Sequence, residues 1–163
     1  MTNNTPTAAY DETVSRLQKA GRLYRSTRGR AGIYSFLDEA YRVFCIYRKL
    51  KHLGRHKLHL RKLAGLKIDR SRTLADLILI IAVSTVDRRE RHRWKKLIEA
   101  AYKQKIEPKT FKQQLQALHG VNNAILFWGL PRELMPKPGD KMLPGMEYTL
   151  QSPMHIPFSE DGN

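Results

Sequence analysis

An all-α fold is predicted: a single bundle-like domain of five or six helices, followed by a Pro-rich, extended C-terminal arm. Three observations carry this expectation. Apolar residues between Tyr10 and Leu118 recur at spacings of three and four, the period of an amphipathic helix. Thr73-Leu-Ala-Asp76 resembles a capping box and opens onto LILIIAV at 77–83, a run that is apolar all round, as expected of a central buried helix. Six of the eight prolines fall at 131–157, which excludes helix over most of that stretch. The expected organisation is a flexible N-terminus at 1–9, a helical basic domain at 10–130 and the arm at 131–163, extended or partly disordered.

The first helix rests on Tyr10, Val14, Leu17, Gly21 and Tyr24, one narrow stripe. The second opens after Gly29 and Gly32. Ile33, Phe36, Leu37, Ala40, Tyr41, Phe44, Tyr47 and Leu50 give it a wide apolar face, and Gly54 is expected to end it. A short basic piece follows, with Leu58, Leu60, Leu63 and Leu66 spaced loosely around Gly65. The aliphatic helix at 73–84 comes next. Thr85 or Asp87 then caps a helix with inner face Trp94, Leu97, Ile98, Ala101 and Tyr102, stopped before Pro108. Thr110-Phe-Lys-Gln113 forms a second capping box for a helix through Leu115 and Leu118 that closes at Gly120. The arm carries too many apolar residues for a plain solvated tail, among them Met142, Tyr148, Ile156 and Phe158, so it is expected to pack on its own body or on another subunit.

Thirty Lys and Arg against fifteen Asp and Glu give a net charge of +15 and a pI near 10.2 in 163 residues. That surplus exceeds what solubility requires and costs stability through self-repulsion unless something negative binds. The charge is localised. Residues 16–112 hold 27 of the bases and 8 of the acids, whereas 131–163 carry five acids against three bases. Between Arg42 and Arg72 stand eleven bases and one acid, Asp69. Cys45, the single cysteine, excludes an internal disulfide and lies among apolar residues, where a buried, inert thiol is expected. The opening residues lack the pattern of a secretory leader, and LILIIAV is far short of the roughly 20 residues of a membrane span. A soluble, cytoplasmic protein is the expectation.

Residues 84–96 read STVDRRERHRWKK, six bases against two acids. On a helix Arg88, Arg91, Lys95 and Glu99 share a face, Arg89, Arg93 and Lys96 line its flank, and Trp94 points inward. Such a face can be merely solvated, with help from an i,i+4 pair between Asp87 and Arg91. With no equal supply of acids nearby, a phosphate-binding face is preferred. Lys and Arg that neutralise phosphates release condensed counterions, which supplies affinity without reading sequence. The expected contact residues are Arg48, Lys49, Lys51, Arg55, Lys57, Arg61 and Lys62 in one cluster and Arg88, Arg89, Arg91, Arg93, Lys95 and Lys96 in the other, with Lys109 and Lys112 beyond them.

The segment from Trp94 to Gly120 is similar to a helix-turn-helix motif, with Ala101, Ile106, Phe111 and Leu115 at packing positions. It departs from that pattern at Lys105, where Gly is usual, and at Pro108. If the motif holds, Lys109, Thr110, Lys112, Gln113 and Gln116 face a groove. His52, His56 and His59 step by four and three, which could make a zinc set. The bases around them and the break at Gly54 instead suggest a basic face supplemented by partly protonated His. No carboxylate cluster, phosphate-cradling Gly loop or nucleophile elbow is present in the sequence, so neither enzymatic activity nor a cofactor is expected.

Residues 72–124, about a third of the chain, resemble small basic proteins of unassigned function that accompany bacterial plasmids and phages. The resemblance is carried by the aliphatic helix, DRRERHRWKK and the Gly-Val-Asn at 120–122. It implies a bacterial, mobile-element setting. The expected partner is nucleic acid, duplex DNA more than RNA, because RNA readers interleave exposed aromatics with their bases, whereas Trp94, Tyr41 and Tyr47 fall on apolar faces. A regulatory or architectural role, in transcription or plasmid maintenance, follows. Two alternatives stay open: a ribonucleoprotein component, and an interaction protein that docks an acidic partner, with 131–158 engaging a partner or a second copy.

Overall fold

The computed structural model describes residues 6–27, 29–50, 53–65 and 72–130, with side chains from residue 12 onward. Every described element is helical: α1 (Pro6–Ser26), α2 (Arg30–Lys49), α3 (Leu53–Leu63), α4 (Leu74–Ala82), α5 (Arg88–Lys103), α6 (Phe111–Ala117) and α7 (Val121–Gly129). They belong to one compact unit ending at Gly129. The all-α expectation is met with seven helices rather than five or six. The expected arm at 131–163, with its packing role, lies outside the described residues.

α7 is the helix the sequence pattern missed. VNNAILFWG is short, apolar and bounded by glycines, a pattern that periodicity cannot separate from a strand or a loop. Tertiary packing decides it. Ala124 and Trp128 are buried, and the Trp128 ring lies 5.5 Å from Phe111. Gly120 turns the chain with φ 137°, a conformation only glycine adopts freely, and its carbonyl accepts from the Ala124 N–H at 3.0 Å.

α2 and α4 form the centre. α2 packs against α1, α3, α4, α5 and α6, and α4 against α1, α2, α3 and α5. The apolar face of α2 is therefore wider than its stripe suggested, with Tyr34, Val43 and Cys45 also buried. Its end comes earlier than expected. Leu50 is extended (φ −73°, ψ 142°), and Gly54 sits in the first turn of α3 instead of closing α2. Leu60 anchors α3 as its one buried residue, while Leu58 and Leu63 remain exposed.

α4 matches the central buried helix expected at 73–84. Leu74, Ala75, Leu77, Ile78, Leu79 and Ala82 are buried, and each of the four larger side chains contributes about 1.5–3 kcal/mol by leaving water. The Thr73 hydroxyl accepts from the Asp76 N–H at 3.4 Å, as the capping box implied. The second box fails. Thr110 makes no cap bond, and its hydroxyl instead donates to the Glu107 carbonyl at 3.1 Å and accepts from Gln114 Nε2.

Aromatic contacts lock α5 in place. Tyr24, Phe36 and Trp94 form a three-ring cluster with centroids 5.3–5.5 Å apart, joining α1, α2 and α5. Tyr41 stacks on Phe111 at 4.4 Å and donates to the Ile106 carbonyl at 2.7 Å. Burial pushes the Tyr41 phenol far above its ordinary range, and it pushes the Cys45 thiol up as well, so Cys45 stays protonated inside the bundle. At the end of α5, the buried Gln104 donates from its side-chain amide to the Trp128 carbonyl at 2.9 Å, tying α5 to α7.

Gly21 is where α1 meets the C-terminal end of α4: a Cβ at this position would run into the Ala82 carbonyl. The neighbour is backbone and cannot swing aside. Gly21→Ala is therefore expected to destabilise the fold by roughly 1–3 kcal/mol, despite the better helix propensity of Ala. Urea unfolding checks this: a midpoint unchanged or raised would mean the helices do not approach so closely.

Candidate nucleic-acid interface

The inner face of α5 fixes its outer face. Trp94, Leu97, Ile98 and Ala101 are buried, so at about 3.6 residues per turn Arg88, Arg89, His92 and Lys96 must project to solvent, and all four are exposed. Tyr102, expected on the inner face, is only half-buried. It stands at 5.3 Å from Phe44, and the Arg48 guanidinium lies 4.9 Å over its ring.

Between α4 and α5 runs an open groove of about 820 Å³, lined by Arg72, Asp76, Arg88, Arg89, Arg91, His92 and Lys95. Among the described residues, five permanent cations and an imidazole thus face a single carboxylate. Asp76 is shared, with one oxygen 3.9 Å from Arg91 Nε and the other 3.9 Å from Arg72 Nη1. These separations are ion pairs rather than tight hydrogen bonds. Arg91 therefore turns toward α4, where the sequence had suggested a pairing with Asp87. The Asp87 side chain, at the N-cap of α5, makes no cap bond.

Arg88 and Arg89 occupy the first turn of α5, the positive end of the helix dipole, with Glu90 beside them. Cations there are unfavourable by about 0.3–1 kcal/mol each, whereas an anion is stabilised. Groove and dipole together can hold a phosphate or other polyanion chemically.

On the opposite flank of α5 lies a second concavity of about 300 Å³, bordered by Arg30 and Tyr34 of α2, by Glu90, Arg93 and Trp94 of α5, and by His119–Asn123 at the start of α7. Arg30 and Arg93 are exposed there. Burial, and then the charge of Glu90, raise the Tyr24 phenol. The sequence pattern pointed to neither Arg30 nor the pairing of Arg93 with the α7 turn, because α7 itself was not foreseen.

Among the described residues, the other expected contacts lie outside the lining of the α4–α5 groove, four of them on α3. Arg55 and Lys62 on α3 are exposed, Lys57 and Arg61 are half-buried, and Lys49 is exposed at the end of α2. Among the described residues of the segment 42–72, Arg72 alone lines the groove. Arg42 is engaged by Asp38 at 2.9 Å. Lys51 lies outside the described residues, as does His52 of the histidine set, and among the described residues no His, Cys, Asp and Glu group suits a metal ion.

The helix-turn-helix expectation is met in connection but not in shape. α5 ends in a Schellman turn: Lys105 adopts φ 58°, its N–H donates to the Tyr102 carbonyl, and the Ile106 N–H to that of Ala101. Lys105 thus takes the left-handed conformation for which Gly is usual. The following helix, however, has only seven residues and buries Phe111 and Leu115. Lys112 donates to the Ser35 hydroxyl at 3.0 Å on α2. Lys109, Gln113 and Gln116 are exposed, Thr110 and Lys112 are half-buried, and Lys109 and Thr110 precede α6.

No described helix is long and apolar enough to cross a membrane. Comparisons with protein-family models, curated proteins and solved structures returned no match.

Asp76 holds two groove cations and sits in the first turn of α4, so Asp76→Asn is expected to lower stability by about 0.5–1.5 kcal/mol. It should at the same time tighten binding of a polyanion such as heparin, because the groove loses the negative charge of Asp76. Denaturant unfolding and heparin-column retention measure the two effects. Lower stability with unchanged retention would separate the groove from anion binding.

Proposed function

We propose that the chain binds nucleic acid, duplex DNA in preference to RNA, and grips phosphates through the α4–α5 groove. The use is regulatory or architectural, in transcription or plasmid maintenance, a setting drawn from the resemblance of residues 72–124 to basic plasmid and phage proteins. The observation that supports binding most directly is the placement of Arg88 and Arg89. They stand at the positive end of a helix dipole, in a groove whose described lining adds three further cations and one carboxylate, an arrangement that favours the entry of a polyanion. The preference for DNA is supported by the burial of Trp94, Tyr41 and Tyr47, all 2% exposed or less, which leaves these rings unable to stack on splayed bases.

Five neutralised phosphates would give a log–log salt slope of about −4.5, a loss of roughly 500-fold in affinity between 50 and 200 mM salt. Arg88→Glu with Arg89→Glu supplies the sharper test. The double variant is expected to be as stable as the parent or more so, because acids suit a helix N-terminus, yet to bind a duplex at least about 10-fold more weakly. Anisotropy titrations alongside thermal unfolding measure both. Undiminished affinity in the variant, or a flat salt response in the parent, would remove the groove from DNA binding.

A further inference from the structure

α5 separates two concavities, and each has a cationic lining. On one flank Arg72, Arg91 and Lys95 line the α4–α5 groove. On the other, Arg30 and Arg93 line the concavity at the start of α7. The crest of α5 carries Arg89 and His92, which also border the α4–α5 groove, and Lys96, spaced by three and four and all exposed. This order is a property of the helix. Arg91 and Arg93 are two residues apart and so about 200° apart around the axis, and they fall on opposite flanks. Arg91 indeed approaches Asp76 of α4, while Arg93 borders the α7 turn. Among the described residues each flank keeps one carboxylate, Asp76 or Glu90, against a larger number of cations.

A ridge about 10–12 Å across, with positive charge on both sides and donors along its crest, is the complement of a trough with negative walls and acceptors on its floor. The major groove of B-form DNA is such a trough: about 12 Å wide, walled by two phosphate strands and floored by base edges. The minor groove, at about 6 Å, is too narrow for a helix. Resting on the proposal of DNA binding, we propose that the first two to three turns of α5 enter the major groove. In this arrangement Arg72, Arg91 and Lys95 meet one phosphate strand, and Arg30 and Arg93 meet the other. Arg89, His92 and Lys96 reach the base edges. Arg and Lys at the crest suit the two acceptors that guanine presents there. The crest residues therefore set sequence preference, and the flank residues set affinity without preference. The reading helix is thus α5 itself, rather than the short helix after the turn.

Three duplex probes of one mixed sequence test the placement: unmodified, with glucosylated hydroxymethylcytosine filling the major groove, and with netropsin filling the minor groove. Filling the major groove is expected to weaken binding by more than about 10-fold, and netropsin to change it by less than about twofold. The reverse pattern would overturn the placement while duplex binding itself still stood. Failure to bind any of the three would overturn the DNA reading as well. Arg30→Ala and Arg93→Ala, each checked for unchanged helix content, should each reduce the salt slope by about 1 on every sequence. Arg89→Ala should instead lose about 10-fold on preferred sites alone. An unchanged slope in both flank variants would show that the second strand is not held there.

Discussion

The burial of α4 constrains everything around it. Nine residues long, with four large aliphatic side chains out of water, it makes contact with α1, α2, α3 and α5. A helix this short is marginal alone, so its neighbours must cover it, and the way each covers it sets what the molecule shows to solvent. α1 comes so close that Gly21 meets the Ala82 carbonyl. α5 turns Trp94, Leu97 and Ile98 inward, which leaves its bases no direction but outward. The cationic groove is thus a by-product of core packing at the level of fold, and its composition then needs a separate cause.

That cause is visible in a local conflict. Helix starts gain from acids, and α4 follows the rule with Thr73 and Asp76. α5 mixes the signs, setting Arg88 and Arg89 between Asp87 at the N-cap and Glu90. Where a rule of stability is only partly obeyed, function is a physical explanation to seek. Asp76 offsets part of the repulsion by bridging Arg72 and Arg91, one carboxylate against five cations among the described residues that line the groove. Carboxylates elsewhere are engaged away from it, with Glu39 paired to Arg16 at 2.8 Å and Asp38 to Arg42 at 2.9 Å.

Much of this fold was legible in the chain. The capping box before LILIIAV and the stripes of α1, α2 and α5 gave element type directly, because a buried face and a helical period leave the same mark. What periodicity could not give was α7, whose helix depends on Trp128 meeting Phe111, nor the early stop of α2 at Leu50. At the site, the outward set Arg88, Arg89 and Lys96 followed from the position of Trp94. The partnership of Arg72 and Asp76 with α5 did not, because it joins residues 15 apart or more that only the packing of α4 on α5 brings together. Arg30, and the placement of Arg93 beside the α7 turn, were hidden for the same reason. The expected second cluster on α3 shows the converse limit: sequence proximity to Arg72 does not put Arg55 or Lys62 among the residues lining the groove.

The central claim is that the bases of α5 are held against their own repulsion, ready for an external polyanion. The thermal midpoint of the bare protein, followed as sodium chloride rises from about 20 to 500 mM, tests it most directly, since added salt screens exposed like charges. The midpoint is expected to climb by several degrees, and a short DNA duplex added at low salt should raise it further. A midpoint that falls with salt and ignores the duplex would contradict the claim, because these cations would then be neutralised already within the fold.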